Sequence, residues 1–187
     1  WVQSVDGGTG QIVWSPASTF IPGVYAFTDA SSDPWFAPAG LIRGALGSVV
    51  RAERKLTSGN RDTLYEANVN PIATFPGSGV VVFGQKTLQK KASALDRVNV
   101  RRLLIALKSF IVQVSDNLVF EQNTIATRNS FLSQVNPYLE SVQQRQGLYA
   151  FKVVMDASNN TPDVVDRNEL VGQIFLQPTK TAEFIIL

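Results

Sequence analysis

The run Gly79-Val80-Val81-Val82-Phe83-Gly84-Gln85-Lys86-Thr87 comes nearest to a phosphate cradle. A P-loop needs its lysine directly after the second glycine, so that backbone amides and the ammonium converge on one phosphate. Gln85 breaks that spacing, and the apolar residues between the glycines read as a strand ending in a turn. Ser115-Asp116-Asn117 matches one element of penicillin-recognising serine enzymes, but the companion S-x-x-K and K-T-G elements are absent. Two carboxylates would suffice for glycoside hydrolysis. Asp163, Asp166 and Glu169 do cluster near Arg167, and Glu53 sits between Arg51 and Arg54. Arginine neighbours hold carboxylates ionised, which opposes the raised pKa of a general acid, so surface ion pairing is the better reading. Asn159-Asn160-Thr161 is formally a glycosylation sequon and reads as a turn.

Composition narrows the chemistry further. The 187 residues contain no His and no Cys. An imidazole base, a thiolate nucleophile, a disulfide framework and a structural zinc site are all excluded within the chain. The expectation is a protein that is not an enzyme, with no cofactor and no metal. With 44% hydrophobic and 17% charged residues, the chain is neither disordered nor richly charged, which suits burial against partners. The longest apolar run, 103–107, is far short of the ~20 residues of a membrane span. No signal peptide opens the sequence, which starts at Trp1 and reads as a piece of a longer protein.

The charge is unevenly placed. Residues 85–110 hold Lys86, Lys90, Lys91, Arg97, Arg101, Arg102 and Lys108 against the single Asp96, a window of +6 in a chain of net +2. The remainder is therefore −4. Arg101 and Lys108 are two helical turns apart and share a face. Such a face could meet nucleic acid, an anionic protein surface or solvent. Aromatic side chains that would stack on bases are missing from it, which disfavours nucleic acid. Identical copies could instead pair basic edge to acidic face, head to tail.

These residues need elements to hold them. Residues 1–15 read as a flexible lead-in with a strand-like piece over 11–14, and 16–187 as a single domain. Ser15-Pro16 looks like a helix start, with Phe20, Val24 and Phe27 on one face. Residues 30–47 read as a loop whose Trp35 and Phe36 dock into a core or a neighbour. A weak strand follows over 48–56, then a short helix over 58–67, then a hairpin over 69–75 and 80–83. From Asp96, Val100, Leu103, Leu104, Leu107, Ile111, Val114 and Leu118 recur at steps of 3 and 4, predicting a long helix. Ile105, Val112 and Val119 add a second stripe, so this helix is expected to pack on two sides. A second helix spans about 124–146, with Pro137 kinking it and Gly147 ending it. Strands over 148–155, 170–176 and 182–187 complete an α+β fold, a mixed β-sheet covered by two long helices.

Several blocks resemble a known family when taken in order. They are the Asp33-Pro34-Trp35-Phe36-Ala37-Pro38-Ala39-Gly40 segment leading to Arg43-Gly44, Asn70-Pro71-Ile72, the 79–88 run, and Asp96-Arg97-Val98-Asn99-Val100-Arg101-Arg102-Leu103. Leu118-Val119-Phe120-Glu121, Asn159 to Pro162, Asp166-Arg167-Asn168-Glu169 and Phe175-Leu176-Gln177-Pro178 continue the pattern. Together they are similar to the tail sheath proteins of contractile-tailed bacteriophages, over roughly residues 20–187. The resemblance implies a structural subunit, its C-terminal inner part, that polymerises with copies of itself in stacked, usually hexameric rings around an inner tail tube protein. It implies contraction that drives the tube through the host envelope, with baseplate and tail terminator proteins as further partners and no nucleic acid or membrane. The place implied is the virion, after assembly in the host cytoplasm. Arg97, Arg101, Arg102, Lys108 and Arg128 are then the expected tube or neighbour contacts. Glu183, Phe184, Ile185, Ile186 and Leu187 are the expected inter-subunit strand, with the family's final arm beyond them missing. A tailocin or type VI secretion sheath is the near alternative, and a nucleic-acid-binding module using the basic window the remote one.

Overall fold

The computed structural model describes residues 1–183. Residues 184–187, and with them most of the last expected strand, lie outside the described residues. The chain divides into two compact units, Trp1–Arg102 and Leu103–Leu187, where the sequence suggested one domain from residue 16.

In the first unit, residues 1–15 are not a lead-in. β1 (Val2–Val5) pairs antiparallel with β2 (Ile12–Ser15) on one side and with β3 (Val49–Ala52) on the other. The polar, glycine-rich stretch between β1 and β2 is a built turn. Asp6 accepts from the Thr9 hydroxyl at 2.5 Å and the Gly8 amide at 3.3 Å, and Gly10 takes a left-handed φ of 71°. Val2 is wholly buried by this arrangement.

Pro16 opens no α-helix. It precedes a single 3-10 turn, Ala17–Thr19, and α1 (Ile21–Ser31) starts five residues later than expected. Pro22 stands in its first turn, where the missing N–H costs nothing. Val24 is buried but Phe27 is half exposed, so the apolar face is narrower than its spacing suggested. The loop that follows contains a one-turn helix, α2 (Gly40–Arg43), and buries Trp35. α3 (Ser58–Glu66) begins with a reciprocal cap in which Thr57 and Asn60 each bond the other's amide.

β4 (Ile72–Phe75) and β5 (Gly79–Val82) form the expected hairpin. Residues 44–46 line the other edge of β5, with Val82 N–H donating to Gly44 O at 2.7 Å and Leu46 N–H to Val80 O at 2.9 Å. A Cβ on Gly44 would lie 2.4 Å from Val82 O, so only glycine lets the chain come this close. Val24, Leu46, Val80 and Val82 make the core here, flanked by Phe20, Ile21, Val49, Ala52 and Ile72.

α4 (Val98–Asp116) runs from the end of the first unit into the second. In the second unit Leu103, Leu107 and Val114 are buried on α4, and Phe131, Val135, Leu139 and Val142 on α5 (Ile125–Gln144). Those α5 residues recur at steps of 4, 4 and 3, one face of a helix. Pro137 lies inside α5 without ending it. Phe110 and Tyr138 stack with ring centroids 3.8 Å apart. β6 (Leu148–Val154), α6 (Pro162–Asp166) and β7 (Gln173–Pro178) follow, with β6 and β7 paired antiparallel.

The α+β class is as read from the sequence, but the sheets differ from a mixed one. The described residues form three small sheets, β2-β1-β3, β4-β5 and β6-β7, and every pairing is antiparallel. Two of these pairings, β1-β2 and β4-β5, are local hairpins, whereas β1-β3 and β6-β7 join strands separated by helices.

Candidate assembly surfaces

The runs that mimic catalytic motifs are structural. Gly79–Val82 is β5, and Lys86 is spent on the fold. Its ammonium lies 3.3 Å from the centroid of the Tyr65 ring and donates to Tyr65 O. Ser115 Oγ donates to Ile111 O at 2.7 Å, an ordinary back-bond within α4. Asn159 caps its own turn, accepting from Asp156 N–H and donating to Val154 O. Arg167 and Glu169 form a bidentate exposed pair, which raises the arginine pKa and lowers that of the glutamate. Among the described residues no group of three His, Cys, Asp or Glu side chains could hold a metal ion, and no helix is long and apolar enough to cross a membrane.

The basic window separates into spent and available charges. Arg102 donates to both carboxylate oxygens of Asp29, at 2.6 and 2.7 Å, and to Pro34 O at 3.4 Å, with its guanidinium over the Tyr25 ring. Arg97 bonds the Tyr65 hydroxyl at 3.1 Å and pairs with Asp96 at 3.4 Å. Both are structural cations of the first unit. Arg101 and Lys108 are exposed, and no carboxylate pairs with either among the described residues. On α4 they alternate with Ile105 and Val112, which are 61% and 46% exposed. Positions 101, 105, 108 and 112 are spaced 4, 3 and 4, so one helix face presents cations and aliphatic side chains in turn. The second apolar stripe is therefore bare, not packed.

Arg128, half-buried on α5, has an Nε with no acceptor among the described residues. Its charge helps to keep Asp156 ionised, behind the larger effects of the Ser158 hydroxyl and amide, which bond that carboxylate. Of the five residues expected to pair strands between copies, Glu183 is described and lies in no strand; 184–187 lie outside the described residues.

Sequence reasoning missed one surface altogether. An open groove of about 1120 Å³ runs along the second unit, lined by apolar residues including Leu118, Phe131, Met155 and Ile174. Val119 and Phe120 stand at it, 59% and 100% exposed. Phe120 has a left-handed φ of 73°, which bulky residues seldom adopt. The only signal in the sequence was a hydrophobic Leu-Val-Phe placed just after a helix, where polar residues are usual.

Residues 90–187 match the family described as the phage tail sheath C-terminal domain. The chain is 43% identical over 174 residues to the tail sheath protein of Vibrio phage KVP40 and 38% identical over 174 residues to that of Enterobacteria phage T4. Each match covers 93% of this chain and 26% of the relative, so the chain spans about a quarter of their length. Among solved structures it is similar to the sheath complex of an extracellular contractile injection system, PVC, in the contracted state. That match has a TM-score of 0.87 at 26% identity, over 100% of this chain and 53% of the other. The helical sheath of the anti-feeding prophage, contracted, matches with a TM-score of 0.86 at 27% identity, over 100% of this chain and 52% of the other. The chain belongs to the phage tail sheath C-terminal domain family.

Proposed function

We propose that this chain is the inner, C-terminal portion of a contractile tail sheath subunit, which polymerises around a tail tube and contracts to drive that tube through a host envelope. The observation that carries this reading is the 43% identity to a phage tail sheath protein along nearly the whole chain. The chemistry agrees with it. Subunits moving as rigid bodies need no catalytic group, which suits a chain with no His and no Cys. Arg101 and Lys108, with Ile105 and Val112 between them, are the face for the tube or a neighbour. Arg128 is a secondary contact, and Arg97 and Arg102 act by fixing the first unit. The sheath is a virion component that meets baseplate and terminator proteins at its ends.

Negative-stain microscopy of the full-length protein tests the reading. Helical tubes or stacked rings are the expected result. Dispersed monomers that bind DNA with a steep salt dependence would overturn it in favour of a nucleic-acid module.

A further inference from the structure

The segment between β5 and α4 is a closed loop with a bare tip. Lys86 and Arg97 form an antiparallel bridge at its stem, and Thr87 N–H donates to Asp96 O at 3.0 Å. Asn70 clamps the stem, accepting from Lys86 N–H at 2.7 Å and donating to Lys86 O at 2.8 Å. Within the loop, Gln89 Nε2 donates to Ser93 Oγ at 2.6 Å and to Lys91 O at 3.2 Å. These bonds fold the tip back on itself. Leu88 is 93% exposed on it, and Lys90 and Lys91 beside it are exposed with no carboxylate partner among the described residues.

An aliphatic side chain standing bare beside two ammonium groups suits an apolar slot with an acidic rim. The groove of the second unit has that character. Its apolar wall includes Leu118, Val119, Phe120, Phe131, Met155 and Ile174, beside the polar Ser115, Gln122 and Asn168. Glu121 and Glu169 line it, with Glu169 paired to Arg167, and the exposed Asp116, Asp163 and Asp166 stand next to or within a few residues of lining positions in sequence. Asn123, also in the lining, keeps a buried Oδ1 with no donor.

We propose that the Leu88 loop of one copy docks in the Phe120 groove of a second copy, with Lys90 and Lys91 facing the acidic rim. This rests on the reading that the chain assembles with itself, and it names where one contact of that assembly lies. Loop and groove are different patches, so the contact is head-to-tail and repeats from copy to copy. Docking would remove Leu88 and Phe120 from water together, and charge complementarity would set which way the loop enters.

The absence of cysteine makes the test direct. Leu88→Cys and Phe120→Cys are prepared as separate single variants of the chain, mixed at high concentration under mild oxidation, and analysed by non-reducing electrophoresis. A disulfide requires Cα atoms roughly 4.4–6.8 Å apart, so its yield reports a specific approach. The mixed Leu88→Cys/Phe120→Cys dimer is expected to exceed by about tenfold a control in which Tyr149→Cys, an exposed position on β6, replaces Phe120→Cys. Adding Lys90→Glu and Lys91→Glu to the loop variant should return the yield to the control level. Adding Glu121→Lys and Asp166→Lys to the groove variant should then restore it. All of these positions are exposed, and circular dichroism confirms that each variant is folded. Equal yields with the groove and control partners, in a chain that sedimentation shows to self-associate, would overturn the docking and leave the assembly reading standing. A chain that neither self-associates nor cross-links would overturn both.

Discussion

Arg102 is held by two hydrogen bonds to Asp29 and by the Tyr25 ring, whereas its neighbour Arg101 projects from α4 with no ionic partner among the described residues. A charged residue count cannot separate them, because the partner that decides lies 73 positions away in sequence. Arg102→Ala should cost about 1.5–3 kcal/mol, the range for hydrogen bonds to charged groups. Arg101→Ala should stay within about 0.5 kcal/mol. Urea denaturation of the two variants checks this, and equal losses would place Arg102 among the assembly cations instead. Asp156 offers a pH test. Its carboxylate accepts from Ser158 Oγ and N–H at 2.6 and 2.8 Å, which holds its pKa below the ordinary aspartate value. A folded-state pKa lowered in this way contributes stability that is present above the unfolded value and lost as pH falls through the folded one. Acid should therefore loosen the 156–160 turn below about pH 4. Asp156→Asn should flatten that part of the acid-unfolding curve followed by fluorescence.

Three helices end with the same device. After α3, α5 and α6, residues 68, 146 and 168 turn left-handed, and the next amide reaches back five residues to close a Schellman motif. Asn68 and Asn168 tolerate that conformation, but Gln146 bears it with a longer side chain, while Gly147, the expected helix stop, lies one position further on. Gln146→Gly should raise stability by about 1 kcal/mol. Thermal unfolding checks the sign, and a loss would mean that the glutamine side chain contributes more than its backbone costs. Most elements were legible because their signals are local. The α4 periodicity, the glycine that closes α5 and the turn between β4 and β5 all depend on neighbours within a few residues. What was not legible depended on distant pairing. Residues 3–10 look like a linker by composition, yet β3, more than forty residues on, makes β1 the centre of a sheet. The exposure of Ile105 and Val112 was hidden for the same reason: periodicity shows which residues share a face, not whether anything covers it.

Across the whole molecule, charge divides with the fold. The first unit has eleven Lys and Arg against seven Asp and Glu, and the second six against eight. Self-association that uses this split should weaken as salt rises, since the screening length falls from about 8 Å at 0.15 M to about 3 Å at 1 M. Sedimentation across that range checks it, and association that strengthens with salt would point to apolar contacts alone. The family was legible as an ordered set of short motifs although no single motif decided it, because their order along the chain carries more than any one of them. The Phe120 groove was not, because its walls come from segments as far apart as residues 111 and 174.

The stem that Asn70 clamps and the groove beside Phe120 are unlike patches, and a growing stack built on them has a direction. One end would always show bare lysine-flanked fingers and the other bare acidic slots. A component that starts growth and a component that stops it would then need opposite chemistries, and neither could substitute for the other.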